Sequence, residues 1–212
     1  GADDWAGGVP GDQDLGVLSS VAQYFPGAGY LARFVTEAVR AVEPAGAVFL
    51  GALRSLPLRE AYHASVELFH LAGAPGKLPI AELRERVRRR MESEEELAVD
   101  PSFFQVLARE LPAVRRVRVL LKRGRHLNEL TRYRYDVVLE VGAPTIAPSA
   151  AVQPLEVLSL AALEARLAAG DESVLLADVP NARLAEDAAL LARLHDPQGG
   201  TLGDLRQAMA DS

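Results

Sequence analysis

LGVLSSVAQYFPGAGYLARFVTEAVRAVEPAGAVFL, residues 15–50, decides the fold. It opens on a short apolar run, Leu15 to Leu18, which Ser19 and Ser20 end; a turn signal follows at Pro26, Gly27 and Gly29. This run predicts a buried strand. Leu31, Phe34, Val35, Ala38, Val39 and Val42 then recur at the i, i+3, i+4, i+7, i+8 spacing of one helix face, and Pro44 with Gly46 stops the helix. Ala47 to Leu50 is a second short apolar run. Strand, amphipathic helix and strand within one such stretch make a crossover unit, which places the two strands parallel.

Downstream, residues 58–71 carry a helical pattern that Gly73, Pro75 and Gly76 end. Residues 80–97 predict a heavily charged helix in which Glu82 faces Arg86 and Glu85 faces Arg89, the acid-first i, i+4 order. Asp100 before Pro101 predicts a capped helix through Leu111. The period then changes from 3.6 to 2. Val117, Val119 and Leu121 alternate with Arg116, Arg118 and Lys122; Tyr133, Tyr135, Val137, Leu139 and Val141 alternate with Arg132, Arg134, Asp136 and Glu140. An antiparallel pair follows, joined by the polar loop 123–131. The fold class is α/β, with parallel strands, a C-terminal antiparallel hairpin and helices on both faces. Residues 1–14 read as a lead-in, 15–142 as the core, and 143–154, with Pro144, Pro148 and Pro154, as a linker. Residues 155–212 read as a small αβα extension: a helix over 158–168, a strand over 174–177, a helix over 181–194 capped by Asn181, and a last helix over 201–210.

Composition narrows the function classes. The chain has 212 residues, 23 basic and 29 acidic side chains and a formal net charge of −6, which argues against a general polyanion binder. No apolar stretch reaches membrane-span length and the N-terminal residues are acidic, so a cytoplasmic location is expected. With no cysteine, disulfides, thiolate zinc sites and cysteine nucleophiles are excluded. The basic runs Arg84–Arg90 and Arg115–Arg125 read as solvated surfaces, the first with acidic neighbours and the second alternating with apolar residues; nucleic acid and membrane are not expected partners. Glu60-x-x-His63 and Glu67-x-x-His70 have the spacing of carboxylate-bridged metal sites, but both copies follow one another on one helix, where such sites use two, so no metal is expected.

Five stretches together resemble the methyltransferase domain embedded in the adenylation domain of nonribosomal peptide synthetases. They are SSVAQYFP (19–26), RSLPLREAYHASVEL (54–68), EEELAVDPSFF (94–104), KRGRHLNELTRYRYDVVLEV (122–141) and VPNARL (179–184). The resemblance implies a class I, Rossmann-like, S-adenosylmethionine-dependent fold, and it begins at the family's fourth strand. The glycine-rich turn after the first strand and the acid for the ribose hydroxyls fall before the matching segment. No cofactor is therefore expected, S-adenosylmethionine entering only if the missing half is supplied. The family usually has Asn where this chain has Ser19, and Gly-Asp-Val-Arg where it has Gly51, Ala52, Leu53 and Arg54.

The resemblance also maps an acceptor pocket. His63 and Glu129 are the candidate catalytic residues; Ser19, Gln23, Tyr24, Arg54, Tyr62, Arg125, Asn128 and Tyr133 are candidate pocket residues. His63 is the side chain suited to a proton shuttle near neutral pH. Lys122, Arg123 and Arg125 could meet a phosphopantetheine phosphate or an acidic carrier protein. Three functions remain open: a truncated methyltransferase-like part with a structural or docking role, beside adenylation and carrier-protein domains; a repurposed tailoring enzyme moving a proton on a carrier-bound aminoacyl thioester, in the manner of an epimerase; and a fragment of a genuine N-methyltransferase. In each, the strand at 15–18 is a sheet edge to be covered by residues 1–14, by the strand at 174–177 or by a second copy of the chain.

Overall fold

The computed structural model describes residues 13–142, 152–154, 160–169 and 175–210. The lead-in through residue 12 and most of the expected linker lie outside them. Two units are distinguished, residues 1–143 with 183–212, and residues 144–182.

The larger unit is built on one mixed sheet. β1 (Leu15–Ser19) leads through α1 (Ala28–Ala41) to β2 (Gly46–Ser55), and the two strands pair in parallel, Leu15 opposite Ala47 and Ser19 opposite Gly51. The short β3 (Ala98–Val99) adds in parallel to the end of β2. β4 (Val114–Leu121) and β5 (Arg134–Val141) form the expected antiparallel pair, and β5 lies antiparallel against β2. The order across the sheet is β1-β2-β5-β4.

α1 forms where the apolar spacing places it, after Gly27, and buries Leu31, Phe34, Val35, Ala38 and Val39. These meet Val48, Leu50 and Leu53 of β2 and Tyr135, Val137, Leu139 and Val141 of β5 in one core, which Phe104 of α4 (Ser102–Arg109) completes. Each such side chain contributes roughly 1.5–3 kcal/mol by leaving water. β2 reads as a continuous apolar run because it lies between β1 and β5 and is buried along most of its length. β5 alternates, with Tyr135, Val137, Leu139 and Val141 buried and the residues between them half-buried.

β1 departs from the buried strand expected of it. Leu15 and Val17 are 57% and 58% exposed, and among the described residues nothing pairs with its outer edge. The strand expected at 174–177 is seen as β7 (Leu175–Ala177) and pairs in parallel with β6 (Val152–Pro154), the end of the expected linker, in a two-stranded sheet of the smaller unit, which also holds α6 (Leu160–Ala168).

The second core of the larger unit is helical. α2 (Arg59–His70) and α3 (Ile80–Ser93) pack with α7 (Ala185–Leu194) and α8 (Leu202–Ala210) around Ala64, Leu71, Ile80, Leu83, Val87, Leu190, Leu194, Leu202 and Leu205. The residues expected as one extension, 155–212, are thus divided: α7 and α8 bury their apolar faces in the larger unit. α3 stops at Ser93 rather than 97, and Glu85 pairs with Arg88 (2.6 Å) instead of Arg89, i+3 being as near as i+4 on a helix. The Glu82–Arg86 pair forms as expected, at 2.8 Å. α4 begins at Ser102, with Pro101 rather than Asp100 at its N-cap, and ends at Arg109; Asp100 Oδ1 still accepts from Ser102 N (2.8 Å). Asn181 does not cap α7; a 3₁₀ turn over Ala182–Leu184 intervenes and Leu184 is the N-cap.

The loop expected over 123–131 runs into α5 (Glu129–Tyr133), opened by a capping box in which Asn128 Oδ1 accepts from Thr131 N (3.1 Å) and Thr131 Oγ1 accepts from Asn128 N (3.1 Å). Tyr133 therefore belongs to α5, and β5 starts one residue later. Near the middle of β2 the register against β5 shifts between Leu50 and Leu53. Gly51 and Ala52 form this bulge, and Ala52 takes a left-handed φ of +59°.

Candidate functional site

Glu94 is the centre of the charged cleft. It follows α3 on the short segment leading to β3 and its side chain is only 6% exposed. Arg54, from the end of β2, reaches Oε1 at 2.7 Å. On the other oxygen, Arg59 Nε donates to Oε2 at 2.7 Å and His63 Nε2 lies 2.9 Å away, both from α2. Burial works to raise the Glu94 pKa, but the hydrogen bonds from His63 and Arg59 and the charge of Arg54 outweigh it, so the carboxyl sits below its ordinary value.

Arg54 also donates to Glu96 Oε2 at 2.5 Å, and its guanidinium lies 4.4 Å from the centre of the Tyr62 ring. Burial acts to lower the Arg54 pKa; the bond to Glu96 and the charges of Glu94 and Glu96 more than offset it and raise the pKa. Arg134 of β5 donates to Glu129 Oε1 at 2.6 Å and stands 4.0 Å from Glu96. Arg54, Tyr62, His63, Val66, Arg90, Ser93 and Glu94–Glu96 line an open cleft of about 340 Å³.

Of the expected site residues, the structure brings Arg54, Tyr62 and His63 together at this cleft. Tyr133 stands behind them: its ring meets Tyr62 edge to face at 5.4 Å, and its hydroxyl donates to Asp187 Oδ1 at 2.7 Å. Glu129 joins only through Arg134. Asn128 is spent on the capping box. Ser19 and Tyr24 are exposed on the β1 side, Arg125 is exposed in the loop before α5, and none of these lines the cleft. Gln23 is buried, with no hydrogen-bond partner for Oε1, and its carbonyl accepts from Leu97 N at 2.7 Å, beside Glu96.

Sequence reasoning missed Glu94, Glu96 and Arg59 as site residues. The acids read as the solvated end of a charged helix; the signal against that was the helix boundary, since α3 ends before them. The two Glu-x-x-His pairs are dispersed. Glu60 takes His195 (2.9 Å), His63 takes Glu94, Glu67 takes Arg90, and His70 Nδ1 meets Arg90 at 2.9 Å. Among the described residues no group of three His, Cys, Asp or Glu is placed to hold a metal, and no helix is long and apolar enough to cross a membrane.

No family model matches the chain. Chondramide synthase cmdD of Chondromyces crocatus is 42% identical over 207 residues, 91% of this chain and 5% of that protein. The chain is homologous to a small part of nonribosomal peptide synthetases. Cyclosporin synthetase simA of Tolypocladium inflatum is 41% identical over 128 residues, 60% of the chain and 1% of the synthetase. A probable non-canonical nonribosomal peptide synthetase, CymA of Salinispora arenicola, is 39% identical over 145 residues, 68% of the chain and 2% of that protein. At this level the synthetase matches agree with the resemblance carried by the five motifs. The chain spans only 1–5% of the length of these three relatives.

Proposed function

We propose that residues 15–142 are the acceptor side of a methyltransferase-like domain in a nonribosomal peptide synthetase, and that this chain alone has a structural and docking role there rather than transferring methyl groups. Its neighbours in that role are adenylation and carrier-protein domains. The observation that carries the reading is the edge of the sheet at β1. Among the described residues, a parallel strand that follows the pattern of the family's fourth strand stands at the margin of the sheet, with Leu15 and Val17 exposed on it.

The described residues do not fit S-adenosylmethionine. A nucleotide-like ligand lies beyond the carboxyl ends of parallel strands, on a glycine-rich turn and an acid. Beyond the carboxyl end of β1 stand Ser19 and Ser20, and the Ser20 N–H is already spent on Gly51 O at 3.0 Å. Calorimetric titration of the 212-residue chain with S-adenosylhomocysteine tests the reading: no heat up to millimolar ligand is expected, and saturable micromolar binding overturns it.

A further inference from the structure

The loop between β4 and α5 carries positive charge that its surroundings do not neutralise. Arg123 and Arg125 are exposed, and among the described residues neither hydrogen-bonds nor pairs with an acid. The acids of the adjoining strand and helix are engaged elsewhere: Asp136 holds Lys122 at 2.9 Å, and Glu129 holds Arg134 at 2.6 Å. Lys122 is thereby neutralised, and the two arginines stand as a local excess of positive charge on a chain of net charge −6. An acidic partner is repelled by the chain as a whole and drawn to this loop. Leucines bracket the arginines. Leu121, at the end of β4, and Leu127 are 63% and 66% exposed, and Leu130 of α5 is exposed as well.

The loop's backbone is tied down. Arg183 donates to Lys122 O and, at 3.0 Å, to Gly124 O, while Thr131 Oγ1 donates to His126 O at 2.6 Å. Thr131 also presses on the chain at Gly124, where a Cβ would lie 2.6 Å from its Cγ2. With these carbonyls taken, an incoming strand finds few acceptors here, and recognition runs through the side chains. A helix, whose backbone bonds are internal, meets that requirement.

We propose that residues 121–130 dock an acidic helix of a partner protein, its carboxylates on Arg123 and Arg125 and its apolar side chains on Leu121, Leu127 and Leu130. The inference names the surface that serves the docking role proposed above, and it rests on that reading. The sheet adds a positional argument. Leu121 of β4 and Leu53 of β2 lie opposite Tyr135 from its two sides, so the loop starts two strand spacings, roughly 10 Å, from the end of β2. Arg54, the next residue of β2, lines the charged cleft. A partner held on the loop therefore stands at the cleft's end of the sheet.

The test is amide NMR of the full chain titrated with a lactam-locked helical peptide that carries glutamate and leucine at i, i+3 and i+4 spacing. Saturable shifts confined to residues 121–130 are expected, weakening as salt is raised. Arg123→Glu together with Arg125→Glu is expected to weaken the peptide by about tenfold or more. Both side chains are exposed and unpaired, so the fold is kept and the thermal midpoint stays within a degree or so of the unaltered chain. Leu127→Ser is expected to weaken the peptide severalfold without changing its salt dependence.

No shift at millimolar peptide overturns the inference. So does equal binding of the same peptide with serine for leucine, which leaves only general charge attraction, and so do shifts along residues 114–120 alone, which mean strand addition at the edge of β4. Inorganic phosphate that displaces the peptide where chloride of equal ionic strength does not makes the loop a small-anion site instead, and overturns it too. The peptide and the S-adenosylhomocysteine titration read different sites, so failure here and failure of the docking reading are told apart.

Discussion

The backbone N–H of Ala52 donates to Asp136 Oδ1 at 2.8 Å, across from β2 to β5 and at the point where their ladder breaks. The same oxygen accepts from Lys122 Nζ at 2.9 Å, so one carboxylate closes the bulge and ties in the end of β4. Position 52 is an alanine, and a carboxylate reaches its backbone from the neighbouring strand.

Asp136→Ala is expected to destabilise the protein by about 2–3 kcal/mol, because it strips a charged acceptor from a nearly buried N–H and from an ammonium together. Urea unfolding followed by circular dichroism measures it. Lys122→Met costs less, since Asp136 keeps the Ala52 bond; equal losses would mean that the bulge does not depend on Asp136.

Ala52→Gly should act in the opposite direction. An L-residue in the left-handed region costs about 1–2 kcal/mol, and glycine is free of that cost. A rise of about 1 kcal/mol in unfolding free energy is expected, and no rise would show that the Ala52 methyl, buried at 5% exposure, repays the strain by packing.

Its neighbour has the reverse requirement. A Cβ at Gly51 would lie 2.7 Å from Ser19 Oγ and 2.8 Å from Phe49 Cε1, so both side chains must turn aside to admit one. Gly51→Ala is expected to cost about 1–3 kcal/mol by overpacking. The exchange rates of the β1 amide protons give a local reading, and unchanged rates would argue that β1 simply shifts outward.

The parallel pair and the hairpin were legible because their periods differ: an unbroken run where β2 lies between two strands, an alternation where β5 has one face in the core. Position 52 gave no sign of its conformation, since alanine in a run of apolar residues carries no turn signal. Asn128 and Glu129 were readable as turn-formers, but that the turn was helical, taking Tyr133 out of the strand, followed from contacts with distant Asp187. Glu94 was hidden by its company. Six acids near a basic run read as a solvated helix, and only the tertiary approach of Arg54 and Arg59 turns one of them into a buried centre.

Tyr133 offers a separate titration. Burial, with the bond to Asp187, pushes its pKa well above the usual phenol value despite an opposing bond from Ser65, and burial does the same for Tyr135. Of the five tyrosines, these two are expected to stay protonated until alkaline unfolding, which ultraviolet titration of the phenolate band detects. The sign follows from the raised values: stability is whole below the unfolded phenol pKa near 10 and declines as pH rises beyond it. Tyr133→Phe removes one bond to a charged acceptor at a cost of about 1–2 kcal/mol, and it reduces the loss of stability above that pH.

Glu94 sets the acid side. Its folded pKa lies below the ordinary 4.5, so the unfolded chain takes up the proton first as pH falls. The stabilisation from the Arg54–Glu94–Arg59 cluster is complete above the unfolded pKa and is lost as the pH drops below 4.5 through the folded value. Urea midpoints measured from neutral pH downward are expected to fall steeply in that window for the unaltered chain. Glu94→Gln starts lower, because a neutral amide leaves two half-buried guanidinium groups short of an acceptor, and its profile is flatter there. A parallel decline in both proteins would place the acid sensitivity at another carboxylate.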